Sequence, residues 1–240
     1  MAGERRRVGT LLFDVLGTLV DETGSVADEV GSALTEAGSD PSQSTRLSRE
    51  WARRISEQQR LVNAGEIAWT SQDQVRRATI NEIAAEHGIP LDRPALERLA
   101  TAGHRLRPWP DSAAALASLA ERFLTVALSN ADLPTLADLS RQGGLRWHCV
   151  LSGELVRAYK PHPAVYRLAL RMLRLDPGRT MMVATHPWDL RAAAEHGLMT
   201  AYVARPGGTA PDPTDQFDIV ASDLADLAGQ LPTEVDAVRR

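Results

Sequence analysis

Apolar residues fall into two regimes along the chain. The first is a short unbroken run, Thr10-Leu11-Leu12-Phe13, of the kind that a strand buried on both faces presents. From Asp21 to Arg107 the spacing changes to three and four, which predicts helices over Val26 to Ala37, Leu47 to Val62, Gln72 to His87 and Pro94 to His104. Gly38, Gly65 and Gly88 stand where three of these helices should stop. Beyond Pro108 the two patterns alternate. Strands are expected at Leu124 to Leu128, Val150 to Ser152, Met181 to Ala184, Thr200 to Val203 and Phe217 to Val220. Helices are expected at Leu133 to Gly143, Ala164 to Leu173, Leu190 to His196 and Ser222 to Leu231. Repeated strand-helix units of this length imply an α/β fold with a doubly wound parallel sheet and right-handed crossovers. Residues 1–20 and 108–240 then form the α/β core, and 21–107 an inserted helical-bundle cap. Pro206 to Pro213 reads as a connecting loop, and no internal repeat is present.

Composition narrows the function. A chain of 240 residues accommodates one large α/β domain with an insertion. A formal net charge of −4 argues against a nucleic-acid partner, since affinity for phosphate backbones comes from clustered Lys and Arg. No stretch reads as a membrane span. Arg5-Arg6-Arg7 ahead of apolar residues superficially suggests a secretory signal, but Asp14 and Gly17 interrupt the stretch and no small-residue cleavage site follows. A cytoplasmic protein with a solvated basic tail is expected. The single cysteine, Cys149, can form neither an internal disulfide nor a multi-cysteine metal site, and its strand-like surroundings point to packing.

Four positions then stand at strand ends or in the loops that follow them: Asp14, Ser129-Asn130, Lys160 and Asp189. Such loops converge on one edge of a parallel sheet, where open α/β folds hold their ligands. Each position has a plain alternative. Asp14 could cap a helix starting near Ser25, Ser129 and Asn130 the helix after Ala131, and Asp189 could answer a helix dipole. Lys160 could be a surface lysine, Tyr166 a core aromatic and His186 an incidental loop histidine.

Taken together, Leu11-Leu12-Phe13-Asp14, Pro108-Trp109-Pro110-Asp111, Leu128-Ser129-Asn130, Tyr159-Lys160-Pro161 with Tyr166, and Val183 to Leu190 resemble the motif series of the haloacid dehalogenase superfamily. The resemblance implies a Rossmann-like core with a cap domain, and it gives Asp14 the role of nucleophile. The superfamily's phosphatases carry a general-acid aspartate two residues later; here that position is Leu16, as in the L-2-haloacid dehalogenase branch. The implied reaction is hydrolysis of a small L-2-haloacid to a 2-hydroxy acid through an aspartyl ester on Asp14. Lys160 would orient and charge-balance Asp14, Ser129 and Asn130 would hydrogen-bond the substrate carboxylate or the halide, and Tyr166 would stand near the lysine. Asp189 would hold or activate the water that opens the ester. No cofactor is implied. A metal-independent site is expected, because hard Mg²⁺ wants several oxygen ligands and the last motif offers only Asp189 beside a competing lysine. A homodimer is a further expectation of the resemblance.

Three positions depart from the family pattern. Dehalogenases usually carry an arginine directly after the cap tryptophan, but Trp51 is followed by Ala52, which leaves Arg53 and Arg54 as candidates for the substrate grip. His186 stands where better-known members have asparagine, and Ala184 where they have serine. The alternative reading is another hydrolase on the same scaffold, a phosphohydrolase among them, with a different small-molecule substrate.

Overall fold

The structure, a computed structural model, describes residues 8–232. The basic N-terminal tail lies outside them.

Strand β1, Thr10–Phe13, lies inside the sheet and is buried at every position because helices cover both faces. It pairs in parallel with β4, Leu124–Ser129, on one side and with β6, Thr180–Ala184, on the other. β5, Cys149–Ser152, extends the sheet beyond β4, whereas β7, Met199–Val203, and β8, Ile219–Ala221, extend it beyond β6. Every pairing in this six-stranded sheet is parallel, in the order β5-β4-β1-β6-β7-β8. The chain therefore leaves β1 for one side of the sheet and returns on the other. That reversal opens a crevice at the carboxyl end of β1, the place at which such sheets bind ligands.

Alternation along the strands sends side chains to two separate cores. Leu11, Phe13, Ala127, Met181 and Val183 pack with leucines of α5 (Ser112–Ala120), α6 (Leu133–Gly143) and α9 (Leu224–Gln230). Leu12, Val126, Leu128, Met182 and Ala184 pack instead on α7 (Pro163–Met172) and α8 (Pro187–Ala194). Helices thus cover both faces, which is the doubly wound arrangement. Cys149 opens β5 and is partly buried against the second core.

Between β1 and α5 the chain makes a helical excursion, entered at β2 (Val20–Asp21) and left at β3 (Arg107–Pro108), which pair antiparallel. It holds α1 (Glu22–Glu36), α2 (Ser44–Asn63), α3 (Gln72–Glu86) and α4 (Arg93–Ala100). Helix α1 starts four residues before the expected Val26 because Asp21 caps it, accepting from Gly24 N at 2.8 Å. α3 begins in a capping box between Ser71 and Gln74. The apolar stripe of these helices, with Trp51, Ile55, Ile80 and Leu99 at its centre, joins the first core through Leu16, Leu19 and Val26. The expected fourth helix ends at Ala100 and gives way to a 3-10 turn over Ala102–Arg105.

Candidate active site

Asp14 follows β1 directly, and its backbone N–H still reaches the Val183 carbonyl at 2.9 Å. The strand pairing therefore fixes the start of the loop that carries it. The loop turns at Gly17, whose φ of +78° falls in the left-handed region. A β-carbon there would also come within 3.0 Å of His186 Nε2, so glycine is needed on two grounds. One turn on, Thr18 is wholly buried and donates its hydroxyl to Asp14 Oδ2 at 2.6 Å. Its oxygen accepts in turn from Thr185 N at 3.0 Å. Asp14 does not cap α1; Asp21 does.

Lys160 comes to the same point from the loop between β5 and α7. Its ammonium lies 2.7 Å from Asp14 Oδ1 and 2.6 Å from Asp189 Oδ2, and the side chain is almost completely buried. Burial alone would favour a neutral amine, but the charges of Asp14 and then Asp189 outweigh it and hold the ammonium above its ordinary value. The alternative of a surface lysine is thereby removed. Two asparagines fix the loop. Asn130 accepts from Lys160 N at 2.6 Å and donates to Lys160 O at 3.3 Å. Asn63, at the end of α2, accepts from Tyr159 N and donates to Tyr159 O.

Asp189 sits in the first turn of α8, fully buried. Pro187 starts that helix three residues before the expected Leu190, so Asp189 belongs to the helix and not to the loop ahead of it. Its second oxygen accepts from the Tyr166 hydroxyl at 2.6 Å. Burial, with the Asp14 charge adding and Lys160 opposing, raises the Asp189 carboxyl above its usual range. Burial and the charge of Asp189 also push the Tyr166 phenol far up, so it remains a donor. Tyr166 is therefore in the core and in hydrogen-bond contact with the charged cluster at once.

Asp14 and Lys160 open onto a cavity of about 280 Å³ between the sheet edge and the helical excursion. Leu16, Asn130, His186 and Trp188 line it from the sheet side, and Ser48, Arg49, Ala52, Ile55 and Arg76 from the helices. His186 Nε2 lies 3.0 Å from the Leu16 carbonyl and 3.6 Å from Asp14 Oδ2, and its ring stacks on Trp188. A carbonyl can only accept, so Nε2 carries the proton.

Several expected roles do not survive this geometry. Arg53 and Arg54 do not line the cavity: Arg54 is drawn to Glu50, Glu82 and Glu86, and Arg53 is exposed. The rotation of about 100° per helical residue carries both off the stripe that holds Ala52. Ser129 is buried and its oxygen accepts from Ala131 N at 3.1 Å, a local turn contact away from the cavity wall. Neither Ser129 nor Asn130 caps α6, whose cap residue is Asp132. Asp189 does not line the cavity; its carboxylate contacts are with Lys160 and Tyr166. Sequence reading passed over Thr18, Arg49 and Arg76; Thr18, four residues after Asp14 in a tight turn, carried a usable signal.

A divalent cation does not fit this donor set. An ammonium already bridges Asp14 and Asp189, and the remaining oxygen of each carboxylate is engaged by Thr18 or Tyr166.

The sequence profile of the haloacid dehalogenase-like hydrolase family matches residues 8–197. The chain belongs to this family of hydrolases. Among solved structures, an L-2-haloacid dehalogenase is 36% identical with a TM-score of 0.85, the superposition covering 93% of this chain and 98% of that one. The (S)-2-haloacid dehalogenase of Xanthobacter autotrophicus is 34% identical over 49% of this chain and 47% of its own length. A crystal structure of the Xanthobacter L-2-haloacid dehalogenase with chloropropionic acid covalently bound is 25% identical, covers 92% of this chain and 97% of that one, and has a TM-score of 0.78. Haloacetate dehalogenase H-2 of Moraxella sp. (strain B) is 30% identical over 50% of this chain and 54% of its own length. The matched sequence thus spans about half the length of these two curated relatives.

Proposed function

We propose that the protein is a hydrolytic L-2-haloacid dehalogenase that converts a small 2-haloacid to the 2-hydroxy acid of inverted configuration. The observation that carries the reading is the state of Asp14. It is a carboxylate 4% exposed, gripped by Thr18 and Lys160, facing a cavity in which Leu16 stands where a phosphatase would keep its acid. A carboxylate stripped of water and held in place is competent to displace a leaving group at carbon. The relative with chloropropionic acid covalently bound supports the same chemistry.

In the first step Asp14 attacks C2, the carbon-halogen bond breaks with its electron pair leaving on the halide, and an aspartyl ester forms. In the second, water adds to the ester carbonyl, the alkoxide leaves as the 2-hydroxy acid, and one proton is released. Asp189, its carboxyl raised above the usual range by burial, lies behind Lys160. It is bridged to Asp14 by the Lys160 ammonium, and as the second carboxylate of the cluster it is the base to which the released proton passes. Residues 21–107 act as the cap that shuts water out until the halide has gone. A cytoplasmic setting, which rests on the interrupted apolar stretch after Arg5-Arg6-Arg7, and a homodimer, which rests on the family resemblance, belong to the same reading.

The test is halide release from 2-chloropropionate and chloroacetate, against phosphate release from a generic phosphomonoester, each with EDTA and with Mg²⁺. Halide release that survives EDTA and favours the L enantiomer is expected. Mg²⁺-dependent phosphate release without halide would replace this reading by a phosphohydrolase.

A further inference from the structure

The charged side chains that line the cavity pair with one another, except for one on the helical excursion. Asp14 and Asp189 share the single ammonium of Lys160. Arg76, although it reaches the cavity from α3, is spent on Glu22. His186 directs its N–H at the Leu16 carbonyl. The lining cations Lys160 and Arg76 are thus each engaged by a carboxylate, which leaves neither free to meet an anionic substrate. Arg49 is the exception. It lines the cavity, stands exposed at its edge, and makes no hydrogen bond or ion pair among the described residues.

Its place on α2 is specific. Ser48, Arg49, Ala52, Ile55, Ser56 and Gln59 all face the cavity, a spacing of three and four that marks one helical stripe. Arg49 and Ala52 are neighbours on that stripe, and the methyl group of Ala52 leaves room beside it. Arg49 therefore brings to the cavity wall a guanidinium side chain that no other described residue engages. We propose that Arg49 binds the carboxylate of the substrate from the helical side, holding the acid so that C2 faces Asp14. The proposal rests on the haloacid reading of the site. Guanidinium is suited to the task because its planar fork meets a carboxylate with two parallel hydrogen bonds.

The experiment compares Arg49→Met, Arg49→Lys and Arg53→Met, the last making the same charge change one helical turn along α2 but off the stripe. With (S)-2-chloropropionate as substrate, Arg49→Met should raise KM by about 10- to 100-fold, the range for a lost charged hydrogen bond. Arg49→Lys should recover part of that loss, and Arg53→Met should stay within about 2-fold if only screened surface charge is lost. Equal KM values in Arg49→Met and Arg53→Met would overturn the proposal. Titration calorimetry with propionate, which has no halogen, separates this result from the function itself. If the native enzyme releases no halide yet binds propionate, and Arg49→Met does not, Arg49 stands and the haloacid reading falls. Propionate binding unchanged in Arg49→Met, or absent from the native enzyme, would remove Arg49 as a carboxylate site.

Discussion

At Lys160 one ammonium answers two buried carboxylates, so the cluster is a matter of stability as well as of chemistry. Removing the amine in Lys160→Met leaves Asp14 and Asp189 facing each other without a counter-ion. Loss of one partner from a buried ion pair typically costs about 3–5 kcal/mol. Urea denaturation should show a loss of that order together with loss of turnover, and an unchanged midpoint would mean that the carboxylates take up a proton at little cost. Asp14→Asn is the milder probe, since the amide keeps the shape but cannot act as an anionic nucleophile. It should abolish turnover at near-native stability. In the native enzyme, single turnover in heavy-oxygen water should place the label first in Asp14; label found directly in product would rule out the ester. Asp189→Asn should separate the two steps, because attack on C2 needs Asp14 whereas ester hydrolysis needs a proton acceptor. Halide should then appear as a burst of about one equivalent, and mass spectrometry should find the ester. Steady halide release at the native rate would show that the proton goes elsewhere.

At the scale of elements, α2 does more than close the cavity. Its last residue, Asn63, binds both backbone polar groups of Tyr159, next to Lys160, while Asn130 does the same for Lys160 from the end of β4. The loop bearing the lysine is therefore clamped between a strand end and a helix end. Asn63→Ala should lower kcat with little change in KM, because it loosens the lysine and leaves the cavity wall in place; a change in KM alone would assign Asn63 to substrate binding. Much of this architecture was legible beforehand. Buried strands such as Thr10–Phe13 and Met181 to Ala184 announce themselves as unbroken apolar runs, and the helices of the excursion by their spacing. Helix α5 was not distinguished, because Ser112-Ala-Ala-Ala-Leu-Ala-Ser-Leu-Ala120 is too uniformly small and apolar to show a stripe. Arginine placement was misread for a related reason. Arg53 and Arg54 lie nearer to Ala52 in sequence than Arg49 does, yet only Arg49 shares its face, and helical geometry outranks sequence distance.

For the whole molecule the question is what holds the helical excursion over the sheet. Asp132, ahead of α6, accepts from the backbone N–H groups of Gln72 and Asp73 at 2.9 Å each and so caps α3 from the other side of the cleft. Beside it His104 reaches Asp73 on α3 through Nε2 and Asp138 on α6 through Nδ1, at 2.9 and 2.8 Å. Thr135 also approaches Nε2, Arg141 pairs with Asp138, and Arg77 feels Asp73. Burial alone would lower the affinity of His104 for a proton, but its hydrogen bonds to Asp73 and Asp138 prevail and raise it above the usual 6.5. A protonated ring can donate to both carboxylates at once; a neutral ring can donate to only one. Because the folded value is raised, the stabilisation is fully present below the unfolded value and is lost as the pH rises through the folded one. Lowering the pH from about 8 to about 6, across the ordinary histidine value, should therefore strengthen the tie between α3 and α6. In the native protein the thermal midpoint should gain a contribution over that interval that His104→Gln lacks, since glutamine bridges without titrating. Parallel pH profiles in the two proteins would show that His104 holds the same bonds in both protonation states and that the tie between helices and sheet is indifferent to pH.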